Sequence, residues 1–237
     1  GRDHQTYVRT TRWDATDVTT VLDGLGFVTV IVLLLTSVVY RPRDSLSLYA
    51  NYIEGLVAGD IPPTVSNGLP VVNGGEALDP YQAEQIELGV TYDSGTFGTT
   101  LSLFEVTRPF GLYQPFDDPN TADDALVFRA DGEQRNRGIE ISVYGQPLEQ
   151  LRVLGGLTWL DAEMTRTQDG LFEGNTAVGS PDTQANVNVE WDITAVPGLT
   201  LDARAIYTSS QYADAANDLE VSSWTRFDIG ARYAMEL

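Results

Sequence analysis

The sequence has no cysteine among its 237 residues, which excludes disulfides, zinc–thiolate sites and a thiol nucleophile. It has one histidine, His4, so neither a histidine-based catalytic triad nor a multi-histidine metal site can be assembled; His4 reads as a solvated terminal residue. Basic residues are scarce, 14 against 34 acidic ones, for a formal net charge of −20. That balance excludes nucleic acid as a partner, because a phosphate backbone demands a basic surface. It also fits poorly with a basic patch on anionic lipid headgroups. The surplus acid reads as solvated loops, with a funnel for cations as the rival. A secretory signal peptide is missing too: Gly1-Arg2-Asp3-His4 leads into polar sequence with no apolar run and no initiator Met, which predicts a mature fragment or a truncated reading frame.

What is present is alternation with a period of two. In 45–52, Leu46, Leu48, Ala50 and Tyr52 oppose Ser45, Ser47, Tyr49 and Asn51. In 85–92, Ile86, Leu88, Val90 and Tyr92 oppose Gln85, Glu87, Gly89 and Thr91. Later, Ala185, Val187, Val189 and Trp191 oppose Asn186, Asn188, Glu190 and Asp192, and Leu199, Leu201, Ala203, Ala205 and Tyr207 oppose Thr200, Asp202 and Arg204. This pattern sends side chains to the two faces of a strand. The segments run to about ten residues, the length a tilted strand needs to cross a bilayer and longer than strands in most globular sheets. Many carry an aromatic near one end, namely Tyr92, Phe97, Tyr144, Trp159, Trp191, Tyr207, Trp224 and Tyr233, as expected of interfacial girdles. A soluble β-sandwich or solenoid alternates as well.

The connections sort by length. Asp93-Ser94-Gly95-Thr96, Gly145-Gln146-Pro147 and Val196-Pro197-Gly198 read as tight turns, whereas 55–80, 109–125, 164–182 and 210–220 read as long polar loops. Short turns at one end and long loops at the other match the periplasmic and extracellular ends of an antiparallel transmembrane β-barrel, and a sandwich has no reason to sort them so. Residues 24–40 break the pattern. They are almost continuously apolar, with Arg41 and Arg43 following, and the choice lies between a transmembrane helix and a strand with an irregularity. The β-branched content and the two opening glycines favour the strand.

No active site is visible. Ser94 and Ser209 have no nucleophile elbow or basic partner. Asp161 and Glu163 share a strand face, and Glu84 and Glu87 lie near one another, but both sets read as polar residues facing the barrel interior rather than as an acid–base pair. Gly24-x-Gly26 opens an apolar run and lacks the rest of a phosphate-binding pattern. Asp117, Asp118, Asp123 and Asp124 lack EF-hand spacing, with Pro119 interrupting, and read as a solvated loop rather than a calcium site. Arg135 and Arg137 read as interior residues paired with acidic neighbours. No cofactor is expected.

Four segments in order resemble the barrel of TonB-dependent siderophore receptors. Residues 79–110 contain Pro80, Gln85, Glu87, Gly89 and Tyr92 at the spacing of a strand in that family, followed by Leu103-Phe104 and Thr107-Arg108. Residues 131–144, DGEQRNRGIEISVY, are similar to its GEQRSRGVELE strand, and 151–163, LRVLGGLTWLDAE, to a strand ending in Asp-Ala. Ile206–Asn217 resembles the Tyr-x-Gly-x-x-Tyr-x-Asp-x-x-Asn hairpin. The likeness covers 38–235; residues 1–37 form a poorly matching N-terminal segment and 38–237 a partial barrel. It implies about ten strands of a parental barrel of about 22, with no enzymatic activity. The implied partners are a ferric siderophore as ligand, outer-membrane lipid around the strands, and the TonB complex reached through the parent's N-terminal region. No plug domain or TonB box is visible and the chain stops at Ala234-Met235-Glu236-Leu237, so the piece is expected not to close a barrel or transport alone. The rivals are a non-transporting outer-membrane barrel of porin or adhesin type and a soluble β-rich binding protein.

A bulky, partly apolar chelate suits aromatic side chains with hydrogen-bonding tips at an extracellular vestibule. On that basis Tyr113, Gln114 and Phe116 in one long loop, Phe172 in a second and Tyr212 at the tip of a third are the expected ligand contacts.

Overall fold

A computed structural model describes residues 6–12, 34–116 and 125–235. Its strands are β1 (Thr6–Arg12), β2 (Leu34–Arg43), β3 (Leu46–Val57), β4 (Val65–Ser66), β5 (Leu69–Pro70), β6 (Tyr81–Asp93), β7 (Phe97–Phe116), β8 (Ala125–Leu148), β9 (Leu151–Arg166), β10 (Thr183–Asp192), β11 (Leu199–Thr208), β12 (Gln211–Tyr212), β13 (Glu220–Val221) and β14 (Trp224–Tyr233). Ten of them form one antiparallel sheet in the order β1-β2-β3-β6-β7-β8-β9-β10-β11-β14, while β4–β5 and β12–β13 are two-residue ladders inside loops. Each long strand pairs with the next, so the sheet is an up-and-down meander that stays open at β1 and β14. Both the all-β class and the ten strands match the alternation in the sequence. Of the apolar stretch 24–40, residues 34–40 lie in β2 and the rest lie outside the described residues, as do His4 and the acidic residues 117–124. Among the described residues no helix is long and apolar enough to cross a membrane.

Register separates the two faces. Ala50 pairs with Leu88, Leu88 with Leu103, Leu103 with Ile139 and Ile139 with Trp159, giving an unbroken apolar row across five strands. The row above the β10 turn runs Val189, Ala203, Ile229 on the same face. These side chains are exposed, Leu88 by 53%, Leu103 by 52% and Ile229 by 89%, and water would penalise such a continuous band. Hydrocarbon does not. Tyr92, Trp191 and Tyr233 edge the band near the short turns, and Tyr52, Trp159 and Tyr207 edge it on the other side. Six residue steps lead from Tyr92 to Ile86, the partner of Tyr52, about 20 Å of strand, within the roughly 25 Å apolar band of an outer-membrane barrel.

The opposite face is polar, with Asn51, Glu87, Ser102, Glu140, Asn186 and Asp202 in it. Here small residues receive large ones: a Cβ on Gly89 would lie 2.2 Å from the Tyr49 ring, and one on Gly98 would lie 2.4 Å from the Tyr144 ring. Each ring lies over the bare backbone of its cross-strand partner, covering it. Two of the expected girdle aromatics therefore belong elsewhere. Tyr144 and Trp224 have the parity of the polar face, because Val143 and Thr225 beside them carry the apolar parity.

The ion pairs in the middle of β8 also depart from expectation. Arg137 bonds Asp161 (2.8 Å) and Arg135 bonds Glu163 (2.5 Å). The acidic partners are as expected, the face is not: Arg135 and Arg137 share parity with Ile139 and Ile141, so these pairs stand on the outward face just beyond the apolar band. Two-residue periodicity continues past the membrane, and only the side-chain chemistry changes. On the polar face, Arg152 bridges Glu190 (3.0 Å) and Asp192 (2.7 Å) beside the short turns.

Candidate functional site

Strands β7 and β8 have 20 and 24 residues, about twice what a membrane crossing needs. Pairing of β7 with β6 stops at Thr107, and pairing of β8 with β9 stops at Glu133. Beyond those points the two strands leave the sheet and pair with each other, Pro109–Phe116 against Ala125–Glu133, with one further bridge from Val71 to Leu126, as an arm reaching roughly 25 Å further. The register slips between Phe110 and Leu112. At that bulge a Cβ on Gly111 would lie 2.0 Å from the Phe128 ring, so glycine is what lets the ring lie across the arm. The Tyr113 and Phe128 rings pack at a tilt of 53°, with centroids 4.8 Å apart.

The edges of the arm are capped by side-chain amides. Gln168 Oε1 accepts from Tyr113 N (2.8 Å) while its Nε2 donates to Tyr113 O (2.7 Å). Asn73 does the same for Phe128, accepting from its N (3.0 Å) and donating to its O (2.8 Å). A carboxamide carries one donor end and one acceptor end, so it satisfies a strand edge as a neighbouring peptide would. The geometry also shows which way the arm faces. Tyr113 and Phe128 are cross-strand partners whose backbone groups point away from each other. In the sheet, β7 neighbours β6 and β8 neighbours β9; in the arm, β7 meets Gln168, which follows β9, and β8 meets Asn73, which precedes β6. The edges have exchanged sides. A half-turn of the two-stranded ribbon accounts for this, since such ribbons twist strongly and a bulge adds to the twist.

The remaining loops join the same body. Asn217 Oδ1 accepts from Thr176 N (2.8 Å) and its Nδ2 donates to Thr176 O (3.0 Å), while Gly179 N donates to Tyr212 O (2.9 Å). Val72 N donates to Leu126 O (2.8 Å). Most of the buried apolar side chains, Val71, Tyr81, Phe128 and Ala177, lie here rather than within the membrane-crossing sheet. Burial pushes the Tyr81 phenol above its usual pKa, and its hydroxyl donates to Asp60 Oδ2 (3.1 Å).

The five expected ligand contacts fall in this assembly, in altered settings. Tyr113, Gln114 and Phe116 are strand residues of the arm, not loop residues, and Gln114 Nε2 is held by Asp131 Oδ2 (2.6 Å). Phe172 is 47% exposed in the β9–β10 loop with φ +64°. Tyr212 pairs with Glu220 at the base of its loop, not at the tip. Gln168 connects the first group to the loop of Phe172, and Gly179 connects that loop to Tyr212. A recess of about 610 Å³ opens between the arm and the segment before β6, lined among others by Tyr81, Gln82, Pro109, Phe128 and Arg129. None of these was singled out in the sequence; the alternation through Leu126, Phe128 and Ala130 was the available signal. Among the described residues no cluster of three histidine, cysteine or carboxylate side chains could hold a metal ion.

Comparison with known proteins agrees with this architecture. A family model described as TonB dependent receptor-like, beta-barrel, matches residues 8–237. The ferrichrome receptor FcuA of Yersinia enterocolitica is 42% identical over 84% of this chain and 25% of its own length, and the ferrichrome outer membrane transporter/phage receptor of Escherichia coli is 31% identical over 67% and 21%. The crystal structure of BauA, the ferric preacinetobactin receptor from Acinetobacter baumannii, superposes with a TM-score of 0.76 at 41% identity, covering 87% of this chain and 30% of that one. The chain thus spans about a quarter of the length of these relatives. With the girdled apolar band, the long-loop end and a family match over nearly the whole sequence, the chain belongs to the TonB-dependent receptor β-barrel family and is part of an outer-membrane protein of a Gram-negative bacterium.

Proposed function

We propose that the protein takes up a ferric siderophore across the outer membrane, driven by the TonB complex through the N-terminal part of the parent receptor. The observation that carries this reading is the 42% identity to a ferrichrome receptor, with 41% to a ferric preacinetobactin receptor of the same fold. In this reading residues 38–237 are the body of the partial barrel, and within 1–37 β1 and the first residues of β2 extend the same sheet. The role is binding and gated passage, with no covalent chemistry. Tyr113, Gln114, Phe116, Phe172 and Tyr212 contact the chelate from the extracellular assembly, where rings with polar tips suit a bulky, partly apolar ligand. The test is uptake of radioactive iron by a receptor-null strain carrying the complete reading frame that encodes this segment. Uptake with one ferric siderophore, abolished when TonB is deleted, is the expected result. Uptake that persists without TonB, or none with hydroxamate, catecholate or mixed chelates, would overturn it.

A further inference from the structure

All 14 basic residues of the sequence are arginines, and the chain carries 34 carboxylates to pair with them. Arg135, Arg137, Arg152, Arg166, Arg226 and Arg232 are so paired. Arg129 lines the 610 Å³ recess and, among the described residues, has no carboxylate within ion-pair distance. Asp79 lines the same recess without bonding it.

The walls around Arg129 are fixed in advance. Phe128 is held through its backbone by Asn73 and through its ring by Tyr113. Tyr81, 5% exposed, is anchored by Asp60. Pro109 adds a rigid side. A preformed, largely apolar recess with one unspent guanidinium is suited to a ligand with an apolar flank and a negative charge. Arg41, Arg43, Arg108 and Arg204 also lack a carboxylate within ion-pair distance among the described residues, but Arg129 is the arginine that lines this recess, and the chain's charge of −20 elsewhere repels anions.

We propose that Arg129 is the specificity-determining residue for net charge, and that the recess accepts anionic ferric chelates in preference to neutral ones. The proposal rests on the siderophore reading above. It is tested on the complete purified receptor by fluorescence-quenching titration with an anionic ferric tris-catecholate and a neutral ferric trihydroxamate. Arg129→Gln weakens the anionic chelate by about tenfold, the scale of one hydrogen bond to a charged group, and leaves the neutral chelate unchanged. Arg129→Lys, which keeps the charge, retains most of the affinity. Equal effects on both chelates, no effect on either, or a wild-type preference for the neutral chelate would overturn the inference while leaving siderophore binding intact. A wild-type receptor that binds neither overturns both.

Discussion

Gln168 and Tyr113 are joined as if by a ladder rung: the side-chain amide of one both accepts from and donates to the backbone of the other, at 2.8 and 2.7 Å, across 55 residues of chain. The bond ties the β9–β10 loop to the free edge of the arm. Two hydrogen bonds of about 1 kcal/mol each suggest that Gln168→Ala costs roughly 2 kcal/mol locally. Hydrogen exchange at the Tyr113 amide should then be about thirtyfold faster. Gln168→Glu keeps the acceptor and loses the donor, so it should fall between the two. An unchanged Tyr113 amide in Gln168→Ala would show that the clamp carries no stability.

Asn217 combines two demands in one residue. Its side chain clamps both backbone groups of Thr176, and its own backbone sits at φ +60°. Left-handed backbone costs a non-glycine residue about 1 kcal/mol, less for asparagine. Asn217→Gly should lose only the clamp, whereas Asn217→Ala should lose the clamp and add strain, opening the loop about fivefold more. Protease nicking within 213–219 measures the difference, and equal nicking in the two variants would remove strain from the account.

Much of the sheet was legible because the two faces of each strand meet different solvents. Leu46–Tyr52 and Gln85–Tyr92 show that alternation directly, and the 10-stranded meander follows from it with the turn signals. The arm was not legible. Pro109, Gly111 and Pro115 make 109–125 read as loop, since proline cannot donate to a ladder. Pro115 lies two residues from Tyr113, so its nitrogen points to the same free edge and deprives no neighbouring strand of a bond. The outward parity of Arg135 and Arg137 was available from Ile139, but their charge suggested the interior. The amide clamps were out of reach for a further reason: Asn73, Gln168 and Asn217 meet partners 41 to 55 residues away, and nothing local marks an amide that will complete a distant strand edge.

The pairing of Gly89 with Tyr49 makes a third prediction. The Tyr49 hydroxyl donates to Glu87 Oε1 at 2.6 Å, and its ring lies where a Cβ on Gly89 would be. Gly89→Ala should push the ring off the strand and break that bond, costing about 1–2 kcal/mol. Tyr49→Phe keeps the ring seat and loses the hydrogen bond alone, so it should cost about 1 kcal/mol. Urea unfolding of the complete receptor in vesicles compares them; a Gly89→Ala protein as stable as wild type would mean the ring seat does not matter.

The assignment of faces is open to direct reversal. Leu103 lies between Leu88 and Ile139 in the middle of the apolar band, whereas Asn186 lies on the polar face between Gly156 and Ile206. An arginine near the bilayer midplane costs about 2–4 kcal/mol on the lipid side of a barrel, while a lumen position keeps it in water. Leu103→Arg should therefore lower unfolding stability by that amount, and Asn186→Arg should change it by less than about 0.5 kcal/mol, as at an ordinary exposed site. If Asn186→Arg proved the costlier of the two, the sheet would face lipid with the other side, and the outward placement of the Arg135–Glu163 and Arg137–Asp161 pairs would fall with it.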